Sequence, residues 1–137
     1  MKIIVLFIIL LSSIYSLNKQ HVPIEQDRLQ ESMAKGAVIY TDFCMQCHLD
    51  NGKGVPGTFP PLAPSNWFSE KRKESIQAIK FGLKGPISVN GKDYNGLMPP
   101  AGLSDEEIAD VLNYIMNSWG NTQDTMVTPK EVEAVKK

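Results

Sequence analysis

Both cysteines of the chain and one of its two histidines fall within five residues, CMQCH, from Cys44 to His48. The thiols of Cys44 and Cys47 are soft nucleophiles, and the imidazole of His48 is a common ligand of transition metals. Such a group of side chains can form a disulfide, bind zinc, act as a dithiol redox pair or hold a haem. The spacing and the surrounding sequence distinguish these four kinds of chemistry.

The spacing of the motif favours haem, because Cys-x-x-Cys-His is the pattern of c-type haem attachment. Two thiols on one turn can add to the two vinyl groups at one side of a porphyrin, which carries the following imidazole to the iron. A disulfide leaves His48 unexplained, and a zinc site needs four ligands, one of which would have to be His21 in a polar N-terminal stretch. A thioredoxin-like pair would follow a strand in a βαβ pattern, which the sequence lacks. The motif therefore predicts one covalent haem c on Cys44 and Cys47, with His48 as an iron ligand.

The second axial ligand is predicted to be Met98, which stands in GLMPP, a stretch with the character of a loop that two prolines stiffen. Met33 and Met116 fall at the apolar faces of predicted helices, where methionine usually fills the core. A neutral thioether opposite histidine raises the reduction potential and closes the iron to substrates. These ligands predict an electron carrier and not an enzyme. The alternative is a haem sensor or peroxidase in which Met98 is displaced.

Helical patterns surround these residues. Apolar residues at spacings of three and four predict a helix from Asp27 to the CMQCH motif. A second helix is predicted within residues 69–85. A third begins at Ser104, where Glu107 completes a capping box, and is predicted to run to the stop at Gly120. A short terminal turn is predicted at Thr128 and Pro129.

The segments between the helices are rich in glycine and proline. ISVNGKDY predicts a small hairpin, because Asn90 and Gly91 accept the positive φ angles of a type I′ turn. LDNGKGVPGTFPPLAPSNW predicts a long loop with few bulky apolar residues. A chain of this kind is short of core, and a large apolar ligand at its centre would supply the missing surface.

The N-terminus predicts export. Lys2 precedes an apolar run, Ile3 to Leu11, and small or polar residues follow, as in a secretory signal peptide. The run is shorter than the ~20 residues that span a bilayer, although an uncleaved segment extended to Leu17 would anchor the protein. We therefore predict a signal peptide at 1–16, a flexible lead-in at 17–26, one domain at 27–137 and a periplasmic location.

The composition limits the partners. The chain has 42% hydrophobic and 21% charged residues, which is typical of a globular protein. Its formal charge of −1 gives no strong attraction to nucleic acid or to anionic lipid. We expect a monomer whose partners are redox proteins, with membrane contact only if the signal segment is retained.

From Leu29 to Gly120 the sequence resembles the class I c-type cytochromes, with CMQCH at the end of the first helix and the Met98 segment before the last. NGKGVPGTFPPLAPSNW, GPISVNGKDYNGLMPP and LSDEEIADVLNYIMNSWGN are similar to small periplasmic cytochromes, or cytochrome domains, that serve copper nitrite reductases and quinoprotein dehydrogenases. The resemblance implies an all-α fold of three to five helices around one covalent haem, with a small hairpin. It also allows a tethered cytochrome subunit of a larger oxidoreductase.

The same resemblance implies roles for further residues. Gly36 and Tyr40 match the crossing of the first and last helices, near Tyr114 and Trp119. The Pro60–Pro61 segment matches the one whose carbonyl accepts the Nδ1–H of the haem-binding histidine. The remaining residues implied for the haem pocket are Pro61, Trp67 and Tyr94, of which the last two would contact a propionate or the ring.

A local cluster of basic residues lies in and after the predicted second helix: Lys71, Arg72, Lys73, Lys80 and Lys84. We interpret it as a solvated helix face, because Glu70 and Glu74 interleave with it. The alternative is a docking patch for an acidic partner.

Overall fold

The computed structural model describes residues 24–137. Within this range it contains six helices and one two-stranded antiparallel sheet: α1 Ile24–Phe43, α2 Met45–His48, α3 Asn66–Glu70, α4 Arg72–Phe81, α5 Asp105–Ile115, α6 Pro129–Ala134, β1 Leu83–Val89 and β2 Lys92–Met98. The predicted signal peptide, His21 and most of the lead-in lie outside these residues. None of the described helices is both long enough and apolar enough to cross a membrane.

The predicted helical fold with a hairpin is confirmed, with one helix more than the upper number expected. The predicted second helix corresponds to α4, whereas α3 begins in the segment predicted to be loop. The two helices meet at Lys71, whose φ of −131° and ψ of 45° interrupt the helical backbone. Ser65 begins the first of them, since its hydroxyl accepts the N–H of Trp67. The CMQCH motif adds a helical turn of its own after α1.

The helix ends follow the sequence signals with two differences. The capping box of Ser104 and Glu107 and the cap at Thr128 are both present. However, α1 is already helical at Ile24, the first residue that the structure describes, whereas the predicted start is Asp27. In addition, α5 ends at Ile115 and not near Gly120, because the N–H of Ser118 bonds to the carbonyl three residues back and tightens the chain.

The centre of the fold is the crossing of α1 and α5. A Cβ atom built on Gly36 would lie 2.0 Å from the carbonyl oxygen of Asp110, so the two backbones meet where α1 has no side chain. One turn further, the rings of Tyr40, Tyr114 and Trp119 pack with centroids 5.0–5.5 Å apart. The contacts that the family resemblance implied at this crossing are therefore confirmed.

The hairpin is longer than predicted, and this corrects the position of Met98. Asn90 and Gly91 have φ angles of 51° and 72°, as the predicted turn requires. This two-residue turn fixes a register that continues until Leu83 pairs with Met98. Met98 is therefore the last residue of β2 and not a loop residue, although the prolines after it end the strand.

The C-terminal residues form a segment that we call the C-terminal strap, residues 121–137. Val127, Val132 and Val135 are buried in the same core as α4 and α5. Asn113 of α5, which is fully buried, donates to the carbonyl of Val127 and accepts its N–H. The strap therefore belongs to the folded core, whereas the sequence predicted only a short terminal turn here.

Candidate functional site

The CMQCH motif is held by the end of α1. The N–H of Cys44 bonds to the carbonyl of Tyr40, and the N–H of His48 bonds to the carbonyl of Cys44 at 2.9 Å. Leu49 ends the turn with a positive φ of 65°, and its carbonyl accepts the hydroxyl of Tyr40 at 2.6 Å. Both thiols and the imidazole are therefore fixed to the helix that crosses α5.

The ring of His48 is buried and already has one partner. Its Nδ1 lies 3.0 Å from the carbonyl oxygen of Pro60, which can only accept, so Nδ1 carries the proton and Nε2 has the free lone pair. Burial lowers the pKa of His48, although the hydrogen bond to Pro60 opposes this shift. A neutral, oriented imidazole with a free Nε2 is the form that binds a metal.

Burial also affects the neighbouring thiol. It raises the pKa of Cys44 to about 11, and the nearby Cys47 contributes a smaller increase. A thiol with this pKa is protonated at neutral pH, whereas thiol–disulfide exchange uses the thiolate. Cys44 is therefore poorly suited to act as the attacking thiol of a dithiol redox pair.

Two adjoining cavities open beside the motif, and both are lined by His48, Pro60, Leu83, Ile87 and Met98. The first cavity also touches Cys44 and extends between α4 and α5. The second also touches Cys47 and extends along the hairpin. The remaining walls are mostly apolar and come from residues 57–68, α4, the hairpin and α5. They include Leu62, Phe68, Ala78, Ile79, Val89, Leu112 and Ile115, with Thr58, Ser65, Ser75 and Asn95 among the polar residues.

Each residue that the sequence singled out for the site lies at one of these cavities. Cys44, Cys47, His48 and Met98 all line them. Of the pocket residues that the resemblance implied, Pro61 and Trp67 line the first cavity. Tyr94, which is buried, lines the second.

Met98 is placed differently from the other methionines of residues 24–137. No other methionine in residues 24–137 lines either cavity. Met116 is fully buried in the core at the end of α5, whereas Met33 is half-buried on α1. The position of Met98 beside His48 is therefore distinct from that of a methionine that fills the core.

The wall residues were missed by the sequence analysis, although a signal for some of them exists. Ser75, Ala78 and Ile79 recur on α4 at helical spacing, and Leu83, Ile87 and Val89 follow the alternation of a strand. These patterns identify buried faces, but they do not indicate whether a face packs on protein or on a ligand.

The donors and walls suit a haem. An imidazole, a thioether and two thiols line connected apolar cavities, as a covalently attached, axially ligated porphyrin requires. Within residues 24–137 there is no cluster of three or more His, Cys, Asp or Glu side chains that could hold another metal ion.

Comparison with known proteins agrees with this geometry. The Cytochrome c family model matches residues 33–119. Cytochrome c-552 of Thermus thermophilus is 43% identical over 77% of this chain and 75% of its own length. The gluconate 2-dehydrogenase cytochrome c subunit of Pantoea cypripedii is 33% identical over 74% of this chain but 24% of its own length. The cytochrome c subunit of a quinone alcohol dehydrogenase from Gluconobacter oxydans is 28% identical over 74% of this chain and 22% of its own length.

These matches confirm the class that the sequence resembles, its single covalent haem c and its role in electron transport. The chain belongs to the cytochrome c family, as a class I c-type cytochrome that carries electrons through haem.

Proposed function

We propose that this protein is an exported, monohaem carrier of single electrons, with haem attached to Cys44 and Cys47 and its iron bound by His48 and Met98. The observation that carries this assignment is that all four side chains line the same pair of connected apolar cavities. Export rests on the predicted signal peptide and places the carrier in the periplasm, where it meets its redox partner proteins.

When bound, haem supplies a centre that gains or loses one electron. The chain's own residues set how readily this occurs. The carbonyl of Pro60 orients the imidazole of His48 and raises its basicity. The thioether of Met98 is neutral and favours ferrous iron, which raises the reduction potential. The apolar walls exclude water, so few solvent dipoles have to reorient when the charge changes.

The same ligands argue against an enzyme. If His48 and Met98 both bind the iron, no axial position is open to a substrate. We therefore assign the protein the role of a carrier and not that of a sensor or peroxidase, which would need to release Met98.

A cytochrome subunit of a larger oxidoreductase is a second candidate function. It is favoured by the names of two relatives, a gluconate 2-dehydrogenase subunit and a quinone alcohol dehydrogenase subunit. Gel filtration of the native protein separates the two candidates, because a free carrier elutes as a monomer and a subunit elutes with its complex.

The ligand assignment is tested by the visible spectrum and by Met98→Ala. The ferric parent should show the charge-transfer band of a methionine–iron bond. Met98→Ala should lose that band, bind carbon monoxide readily in the ferrous form and have a lower reduction potential, because the thioether is gone. Met116→Leu is the matched control, since leucine keeps the volume of a core methionine that lies away from the cavities.

Two results would contradict the proposal. Retention of the band in Met98→Ala, with its loss in a variant of another methionine, would move the ligand to that other residue. A parent that lacks the band and binds carbon monoxide freely would favour the sensor or peroxidase.

A further inference from the structure

The C-terminal strap (residues 121–137) reaches one wall of the cavities through its first residue, Asn121. The side-chain amide of Asn121 donates to the carbonyl of Leu62 at 2.6 Å, and its oxygen accepts the N–H of Ser65 at 3.0 Å. Leu62 and Ser65 both line the first cavity, close in sequence to the Pro60 that holds His48. The strap thereby fixes residues 62–65, the part of the cavity wall that comes shortly after Pro60.

A second set of contacts joins the strap to α4. The guanidinium of Arg72 makes a two-point ion pair with Glu131 at 2.7 and 2.9 Å. It also donates to Gln123 and to the carbonyl of Thr125. Lys80, at the other end of the helix, donates to the carbonyl of Val132 and pairs with Asp105.

These contacts correct the interpretation of the basic cluster. Lys71, Lys73 and Lys84 are exposed, as a solvated face requires. Arg72 and Lys80 are only partly exposed, because their charges are directed to the strap and to Asp105. The prediction of a solvated face is therefore wrong for these two residues, and a docking patch cannot use their charges freely.

A neighbouring face of α4 meets the cavity and the Met98 segment. Ala78 and Ile79 line the first cavity, and the carbonyl of Ile79 accepts the N–H of Ala101 at 3.0 Å. A Cβ atom built on Gly82, directly after α4, would lie 2.8 Å from the carbonyl oxygen of Met98. The end of α4 is therefore packed tightly against the backbone that carries the proposed iron ligand.

We propose that the strap positions Met98, with Arg72 as the positioning residue. Arg72 joins α4 to Glu131 of the strap, and α4 in turn packs against the segment that carries Met98. This inference rests on the proposed function, in which Met98 binds the iron. When Arg72 is paired, α4 is fixed to the strap, and the Met98 segment that packs on the end of α4 has little freedom to withdraw. When the pair is lost, α4 can shift away and the thioether competes less well against an added ligand.

The experiment titrates the ferric holoprotein with imidazole and follows the loss of the methionine–iron charge-transfer band. Arg72→Met removes the guanidinium and keeps much of the aliphatic stem. We expect half-displacement at an imidazole concentration lower by about tenfold, because the ion pair and the two further hydrogen bonds of Arg72 are lost and only part of their free energy reaches the Met98 segment. Lys73→Met is the control, because Lys73 is exposed on the same helix and its side chain makes no hydrogen bond or ion pair among residues 24–137. Its titration should match that of the parent.

A second variant, Glu131→Gln, keeps the shape of the strap and tests the pair from its other side, so the result does not depend on the folding of Arg72→Met. The inference is overturned if both variants lose unfolding stability but keep the parent's imidazole titration, because the strap would then be structural only. It is also overturned if Lys73→Met shifts as far as Arg72→Met. Failure of the proposed function is a separate result, since it appears in the unmodified protein as the absence of the charge-transfer band.

Discussion

At the scale of single residues, Glu131 illustrates how one ion pair connects pH to stability. Its hydrogen bonds to Arg72 hold its pKa below the ordinary value of 4.5, although partial burial acts in the opposite direction. A lowered pKa means that the folded state favours the carboxylate. This contribution to stability is therefore fully present above pH 4.5 and is lost as the pH falls through the lowered pKa.

We predict that Glu131→Gln lowers the free energy of unfolding of the holoprotein at neutral pH. The difference from the parent should shrink as the pH falls below about 4.5 and the parent's carboxylate gains its proton. Chemical denaturation at steps from neutral pH to about pH 3 measures both free energies. Glu133→Gln, on the exposed side of α6, should follow the parent throughout. A difference between Glu131→Gln and the parent that is constant with pH would show that the ion pair is not its cause.

The residue scale also separates what the sequence could predict from what it could not. Cys44, Cys47 and His48 could be predicted because all three belong to one motif of five consecutive residues. Met98 could be proposed as a ligand because the other methionines fall at helical faces, in the motif, in the signal segment or in the C-terminal tail. Arg72 could not, since Glu131 lies 59 positions away and no local pattern records that pairing.

At the scale of elements, the crossing of α1 and α5 depends on the missing side chain of Gly36. We predict that Gly36→Ala destabilises the holoprotein, because the new methyl group would lie 2.0 Å from the carbonyl oxygen of Asp110. Overpacking of this kind costs about 1–3 kcal/mol, and we expect the upper part of that range because the obstacle is backbone. The gain in helix propensity, about 1 kcal/mol, offsets only part of it.

Thermal and chemical denaturation measure this change, with Lys35→Ala as the control. Lys35 is exposed on the same helix and pairs with Glu31 at the surface, so its loss should leave the free energy of unfolding nearly unchanged. Equal stability of Gly36→Ala and the parent would mean that the two helices can separate without cost and that the close approach is unimportant.

The elements themselves were predicted unevenly, and for physical reasons. The capping box at Ser104 and the turn at Asn90 and Gly91 were identified because they are local and chemically specific. The break at Lys71 was not, because no glycine or proline marks it. The extension of the hairpin to Met98 was also missed, since Pro86 and Gly96 discouraged a strand that is tolerated when it has only one neighbour.

At the scale of the whole molecule, the apolar residues are unevenly distributed. The largest fully buried side chains belong to α1, α4, α5, the end of α5 and the strap: Tyr40, Ile76, Ile108, Leu112, Met116, Val111, Val127, Val132 and Asn113. None comes from residues 49–65 or from the hairpin. Those segments contribute walls to the cavities, and although Ala63, Val89 and Tyr94 are already buried against protein, we expect the haem to cover most of their other apolar side chains.

We predict that the chain without haem lacks a cooperative native state. Cys44→Ala/Cys47→Ala removes both points of attachment, so its denatured band on a gel should carry no haem stain, whereas the parent's band should.

Without haem the walls would face water across the cavities, and the free energy that binding adds to folding would be absent. Circular dichroism should show reduced helix content and a broad thermal transition in place of the parent's sharp one. Amide exchange should be slow only in α1, α5 and the strap, whose core residues pack on one another, and fast in residues 49–65 and the hairpin. A cooperative transition with the parent's helix content, together with slow exchange in the hairpin, would contradict the prediction. It would show that protein contacts alone hold the cavity walls and that folding does not require haem.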